Sequence, residues 1–292
     1  MEKQKEVEYV KHDPALARMS IFRPTPKGKR SDKKLDITFD YNESSIRVES
    51  MEQLDARDQT LLFVLVAMAG MGKEKIINSQ STGPVGKELW SKMNTLPLSE
   101  GNAIAFYTTF YRILKNCKLE PTGKNYKFVE ESLLRLAKTN ITIKRGKRVS
   151  VTRLIVSLDY NEKEEIAIAI NPRIAEAVTG QYIVIDLEQR NTLKNDTAKI
   201  LFSYLSSVIN EGNRKPYLAT YSTLIERTWG EGDNAVNDST YRGRKKQIKD
   251  ALILITNFPD WVIQLEKEIV SIKRLYKNGD YKPQLKAEKI KL

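Results

Sequence analysis

Histidine and cysteine are almost missing from this chain, with one of each in 292 residues, His12 and Cys117. A zinc cluster, a Cys–His nucleophilic pair or a Ser–His–Asp triad well inside a fold is therefore not expected, and a lone cysteine allows no intrachain disulfide. A relaxase is excluded, because it needs paired metal-binding histidines beside a nucleophilic tyrosine. Long apolar runs are also absent. The longest, 61–71, has 11 residues, too short to span a bilayer. The opening Met1-Glu2-Lys3-Gln4-Lys5 is no signal peptide, so a cytoplasmic protein without membrane contact is expected. The phosphate-cradling loop fails as well. Gly72-Lys73 runs into Glu74 and Gly86-Lys87 into Glu88, with Ala67 and Ser81 where the first glycine belongs. No spaced set of carboxylates suggests a metal-dependent nuclease. The expectation is a protein with no enzymatic activity, no cofactor and no metal. His12-Asp13 reads as a solvated pair and Cys117 as a small buried side chain.

Acidic residues are in deficit, 37 against 49 Lys plus Arg, for a net charge of +12. A polyanionic partner, nucleic acid first, would account for that excess. At roughly 150 residues per domain, the length suggests two domains. Residues 1–34 lack periodicity and carry a basic run that includes Lys29 and Arg30, which reads as a flexible arm. Alternation over 37–41 and 46–48 predicts a hairpin. A core helix capped by Asp55 covers 61–69 and ends at Gly70.

Further on, a short strand over 103–107, a helix over 109–117 and a second helix ending at 138 form a helix-turn-helix. Tyr126, Val129, Leu133 and Ala137 make its buried stripe. Two β-rich segments, 141–144 and 149–158, flank Lys144, Arg145, Gly146, Lys147 and Arg148, the layout of a winged helix with a basic wing. Residues 166–170 supply a strand for the wing or its sheet, a short helix opens at Asn171-Pro172, and 181–187 reads as a strand. The layout then repeats: a helix over 198–209 capped by Asp196, a strand over 216–219, a helix over 220–228, a helix over 241–256 capped by Asp238 or Ser239, and a hairpin of 261–265 with 269–273. The predicted fold is α+β, with two tandem winged-helix domains at 35–187 and 188–275 and a mobile tail at 276–292.

The chemistry sits on the helix over 241–256. At 100° per residue its apolar stripe is Tyr241, Ile248, Ala251, Leu252 and Ile255, while Arg242, Lys246 and Lys249 share another face. Arg244 and Lys245 border the stripe, so five basic residues are expected to project from about two turns, with Ser239 and Tyr241 at the start. This is the candidate groove-reading surface, since arginine can grip guanine bidentately and lysine can pair with phosphate. The equivalent helix of the first half offers Lys124, Asn125, Lys127 and Arg135, with Glu131 among them. That half therefore suits either phosphate gripping or protein contacts.

Dispersed stretches resemble one family in order: His12-Asp13-Pro14-Ala15, Phe22-Arg23, 34–41, 65–70, Asn171-Pro172, Ile174-Ala175, Ala177-Val178, and Ser239-Thr240 leading into Arg242 to Lys246. They are similar to the RepC replication initiators of IncQ-group plasmids, over about 12–262. The resemblance implies a protein that binds directly repeated iterons in origin duplex DNA and promotes opening of adjacent A·T-rich DNA. It also implies a plasmid-encoded helicase and primase as partners, and a homodimer formed through the N-terminal half. The alternatives are a winged-helix repressor of its own operon that does not melt DNA, and a structural protein whose basic faces bind acidic partners.

Overall fold

The computed structural model describes residues 7–25, 34–69, 75–77, 103–160, 165–171, 182–230 and 237–277. In chain order, the first elements are β1 (Tyr9–His12), α1 (Pro14–Arg18), β2 (Leu35–Tyr41), β3 (Ser44–Ser50), α2 (Ala56–Ala69), β4 (Lys75–Ile77) and β5 (Ala103–Thr109). Next come α3 (Phe110–Asn116), α4 (Gly123–Ala137), β6 (Asn140–Arg145), β7 (Arg148–Arg153), β8 (Ile155–Tyr160), β9 (Glu165–Ile170) and β10 (Ile183–Asp186). The last are α5 (Leu187–Thr192), α6 (Asp196–Val208), β11 (Tyr217–Thr220), α7 (Tyr221–Trp229), α8 (Asp238–Ile255), β12 (Trp261–Leu265) and β13 (Ile269–Arg274).

One order of elements occurs twice: helix, strand, helix, helix, hairpin. In the first half it is α2, β5, α3, α4 and the β8–β9 hairpin, with β4 added before β5 and the β6–β7 hairpin inserted between α4 and β8, and with strand order β4-β5-β9-β8. In the second it is α6, β11, α7, α8 and the β12–β13 hairpin, with strand order β11-β13-β12. In both, the single strand pairs with the last strand of the hairpin. A separate four-stranded sheet, β2-β3-β6-β7, lies beside the first half.

That separate sheet corrects the expected wing. The predicted strand over 149–158 is two strands in two sheets, broken at Leu154. Residues 148–153 pair with β6, while 155–160 pair with β9. The backbone at the corner is tied, with the Leu154 N–H donating to the Thr139 carbonyl at 3.1 Å and the Asn171 N–H donating to the Leu154 carbonyl at 3.3 Å. Asn171 Nδ2 also donates to the Arg153 carbonyl at 2.6 Å. The basic tip Lys144 to Arg148 therefore crowns the β6–β7 hairpin, and the strand 165–170 joins β5 and β8 rather than that hairpin. Gly146 takes φ +56° in the two-residue turn, a conformation that costs glycine little.

Residues 7–25 are packed, which corrects that part of the expected arm. β1 pairs antiparallel with β10, and Val7, Val10, Ala15, Leu16, Met19, Ile21 and Phe22 are buried. The Asp13 carboxylate caps α1 by accepting from the Leu16 N–H at 2.8 Å. His12 is buried rather than solvated, edge-on to Phe63 at 5.0 Å between ring centroids. The segment then bridges the halves. Phe22 pairs with Leu54, the Ser20 hydroxyl donates to the Glu226 and Arg227 carbonyls, and the Arg23 guanidinium fills the space that a Cβ at Gly230 would need. Lys29 and Arg30 lie outside the described residues, as do the short helix expected from Pro172 and residues 278–292 of the expected tail. Tyr276 and Lys277 are placed, and Lys277 Nζ donates to Asp186 at 2.6 Å.

α2 is apolar on nearly every face because it is covered by β1, α4 and α6. Its start is a capping box: the Asp58 N–H donates to the Asp55 carboxylate and the Asp55 N–H to that of Asp58, each at 3.0 Å. Asp58, fully buried, also accepts from Ser132 Oγ and the Arg135 guanidinium, tying α2 to α4. Arg190, on α5, is fully buried too. It donates to Thr60, Gln59 and the Ala56 carbonyl on α2 and to Ser203 on α6, with its guanidinium 5.1 Å from the Phe63 ring centre. Burial pushes its pKa down to about 9, against the pull of Asp196, so it stays charged at neutral pH. Burial pushes the Cys117 thiol up to about 12, consistent with a packing role.

Candidate nucleic-acid interface

Helix α8 is placed by its apolar stripe. Ile248, Ala251, Leu252 and Ile255 are fully buried against α6 and α7, with Tyr241 half-buried at the start. Asn237 caps the helix, rather than Asp238 or Ser239, by accepting from the Thr240 N–H at 2.9 Å. Asp238 instead occupies the first turn, where a carboxylate suits the positive end of the helix dipole. The side of α8 facing solvent presents Ser239, Arg242, Gly243, Lys246 and Gln247, all exposed. An added Cβ at Gly243 would meet nothing within 4 Å, so the backbone itself is open to approach there.

Of the five cations expected to project, two do so fully: Arg242 and Lys246. The other three are half-buried against aromatic rings. Arg244 lies 5.2 Å from the Trp229 ring centre, Lys245 lies 4.8 Å and Lys249 5.2 Å from that of Tyr221. Lys245 Nζ also donates to both carboxylate oxygens of Glu268, at 3.0 and 3.1 Å, in the turn between β12 and β13. Long cationic side chains lay their stems on apolar surface whenever a ring stands beside them, and the helical wheel cannot show that α7 supplies Tyr221 and Trp229 there.

In the first half, Lys124 and Lys127 on α4 are exposed, and the Asn125 amide is turned back to donate to the Glu120 carbonyl at 2.9 Å. Arg135, read as outward-facing, is buried with Asp58, and Glu131 is exposed on the helix. Lys115 and Lys118, exposed at the turn that leads from α3 toward α4, were not singled out from the sequence. Lys144, Arg145, Lys147 and Arg148 are all exposed at the β6–β7 tip, with Arg145 3.6 Å from Glu43. The structure thus gathers the cations into three groups, on α8, around the start of α4, and at the β6–β7 tip.

Among the described residues, no cluster of three or more His, Cys, Asp or Glu side chains is placed to hold a metal ion, and no helix is long and apolar enough to cross a membrane.

The model of a family described as replication protein C (RepC) matches residues 4–272. No curated protein matches the sequence. Among solved structures, a selenomethionine crystal structure of domains 2 and 3 of RctB is similar at a TM-score of 0.49 and 10% identity, covering 90% of this chain and 98% of that one. A second structure of RctB domains 2–3 is similar at a TM-score of 0.44 and 9% identity, with 89% and 95% covered.

Proposed function

Because the chain belongs to the replication protein C family, we propose that it initiates replication by binding directly repeated sites in origin duplex DNA and promoting the opening of adjacent A·T-rich DNA. The observation that carries the reading is the exposed Arg242–Lys246 face of α8, on the second helix of a helix-helix-hairpin unit whose other side is core. Each half is read as a winged helix, with the β8–β9 and β12–β13 hairpins as wings. The helix α8 enters a major groove, Arg242 and Lys246 reach base edges or phosphates, and Ser239 and the amino-terminal end of the helix approach the backbone. Lys124, Lys127 and the β6–β7 tip grip phosphate. Two linked modules on successive grooves raise each other's effective concentration, and bending at repeated sites strains the neighbouring duplex. The chain acts as an opener without an enzymatic step, and a helicase and primase would follow it.

The test is binding at fixed salt to a cognate direct repeat and to scrambled duplex. Arg242→Ala or Lys246→Ala weakens the specific complex by about 1–3 kcal/mol where a base contact is lost and narrows the gap to scrambled DNA. Lys147→Ala weakens both duplexes alike. Unchanged binding in the first two variants would remove α8 from its role. Permanganate reactivity of thymines in a supercoiled origin then separates an initiator from a repressor that binds the same repeats without melting them.

A further inference from the structure

The four-stranded sheet β2-β3-β6-β7 stands outside both helix-helix-hairpin units, and the duplex reading uses only its basic tip. Its outer strands, β2 and β7, each have a neighbour on one side only. The turns fix which backbone groups face the open side. Tyr41 and Ser44 flank the two-residue turn Asn42-Glu43, and Arg145 and Arg148 flank Gly146-Lys147, so the members of each pair exchange both hydrogen bonds. Alternating from there, Asp36, Thr38 and Asp40 of β2 and Val149, Val151 and Arg153 of β7 turn their N–H and C=O groups outward. The Arg153 carbonyl is taken by the Asn171 side chain, and the other outward groups have no partner among the described residues.

Open edges are normally blunted by proline, a bulge or brevity, and neither of these edges has any of the three. β2 runs in unbroken register for seven residues and β7 for six, the latter with the β-forming core Val149-Ser150-Val151-Thr152. Val149 is 54% and Val151 69% exposed, on the same outer face of the sheet as Asp36, Thr38 and Asp40. Charge distinguishes the edges. β2 carries Asp36 and Asp40 with Glu43 in its turn, whereas β7 carries Arg148 and Arg153 with Lys147 in its turn. Pairing like edges would gather cations against cations or carboxylates against carboxylates. The unlike edges lie on opposite sides of one sheet, so only another copy can bring them together. Strand direction alternates across the sheet, and the next copy's β2 therefore meets β7 antiparallel with its outer face on the same side. In that register Arg153 stands opposite Asp36, Val151 opposite Thr38 and Val149 opposite Asp40, and Lys147 comes beside Glu43. Asp36 is already gripped by its own Arg47, but each of its oxygens keeps a lone pair for a second donor.

We propose that the β7 edge of one copy takes the β2 edge of a second copy, joining chains head to tail through one continuous sheet. The contact is heterologous: a free β2 edge remains at one end and a free β7 edge at the other, so it builds an open line instead of a closed two-fold dimer. One strand pair buries less than the roughly 1,200 Å² of a stable complex, so the contact is weak alone and gains when copies are held in line. All copies in such a line face one way, as directly repeated sites require. That use rests on the function proposed above; the contact itself does not.

The experiment uses two full-length chains, Thr38→Cys and Val151→Cys, one of them enlarged by a tag, at high concentration without DNA. Directly opposed residues lie about 5.5 Å apart between Cα atoms, within reach of a short bis-maleimide. Cys117 is buried and its thiol is held protonated, so it does not compete. The mixture is expected to give a crosslinked product of unlike chains, and neither chain alone should give one. No product in the mixture overturns the proposal. So does a product from Val151→Cys alone or Thr38→Cys alone, which would mean two-fold pairing of like edges. Arg153→Glu in the Val151→Cys chain should abolish the product, and Asp36→Lys in the other chain should restore it. Such rescue cannot come from a misfolded chain, and a product indifferent to both charge changes would overturn the register. Failure of the Arg242 and Lys246 tests leaves these readouts unaffected, so the two proposals fail separately.

Discussion

His12 has Nδ1 buried without a hydrogen-bond partner, and burial holds its pKa down at about 4 despite the neighbouring Asp13. In the unfolded chain the same imidazole titrates near 6.5. Between those values the unfolded state binds the extra proton, so stability is fully present above about pH 6.5 and falls as the pH drops toward 4. This one group sets a slope of up to about 1.4 kcal/mol per pH unit. Urea unfolding at pH 7 and pH 5 checks it: His12→Leu should flatten the difference between the two pH values while shifting stability at pH 7 by no more than about 1.5 kcal/mol. An unchanged pH dependence would show that another group carries it. This burial is not legible in the sequence, since His12 belongs to a strand of four residues whose partner begins at Ile183. A segment that short has no period of its own to read.

The helix α8 and its hairpin were legible because their signals are local, a stripe at helical spacing and two alternating runs, although the cap was misplaced by one or two residues. Longer-range features were written less plainly. Val149 and Val151 keep one phase of alternation while Leu154, Val156 and Leu158 keep the opposite one, and that phase change marks the passage from one sheet to another. Read as a continuous strand, it hides the corner and misplaces the wing. On α8 the wheel finds the cations but not their aromatic neighbours, which arrive from α7.

Two outcomes belong to this element. Gly243 sits mid-helix, where it weakens the helix by about 1 kcal/mol relative to alanine. Gly243→Ala should therefore raise the melting temperature while weakening duplex binding, as a glycine admitting DNA close to the backbone requires. Affinity that rises along with stability would show that no such approach occurs. Glu268→Gln should release Lys245 for phosphate and steepen the plot of log K against log salt by about 0.9. Its effect on stability should stay within about 1 kcal/mol, because the carboxylate is largely exposed.

Across the whole molecule, Arg190 joins what the repeated topology would otherwise leave as neighbours. Its guanidinium satisfies acceptors on α2 and α6 together, without a carboxylate among the described residues in its hydrogen-bonding shell. Arg190→Met should cost about 3 kcal/mol or more, since several buried acceptors lose their donor at once. Hydrogen exchange is the discriminating readout. Protection is expected to fall in α2 and α6 alike, and a loss limited to one of them would mean that the residue merely fills space.

The pairing of β1 with β10 also bears on how the chain is made. Tyr9 lies opposite Asp186, so a ribosome working at about 5–20 residues per second would extrude the first strand roughly ten to thirty seconds before its mate. Through that interval a hydrophobic leading segment waits without its hydrogen-bonding template, open to capture by chaperones. Fragments that stop short of β10 should inherit the same exposure permanently and precipitate where the longer chain does not.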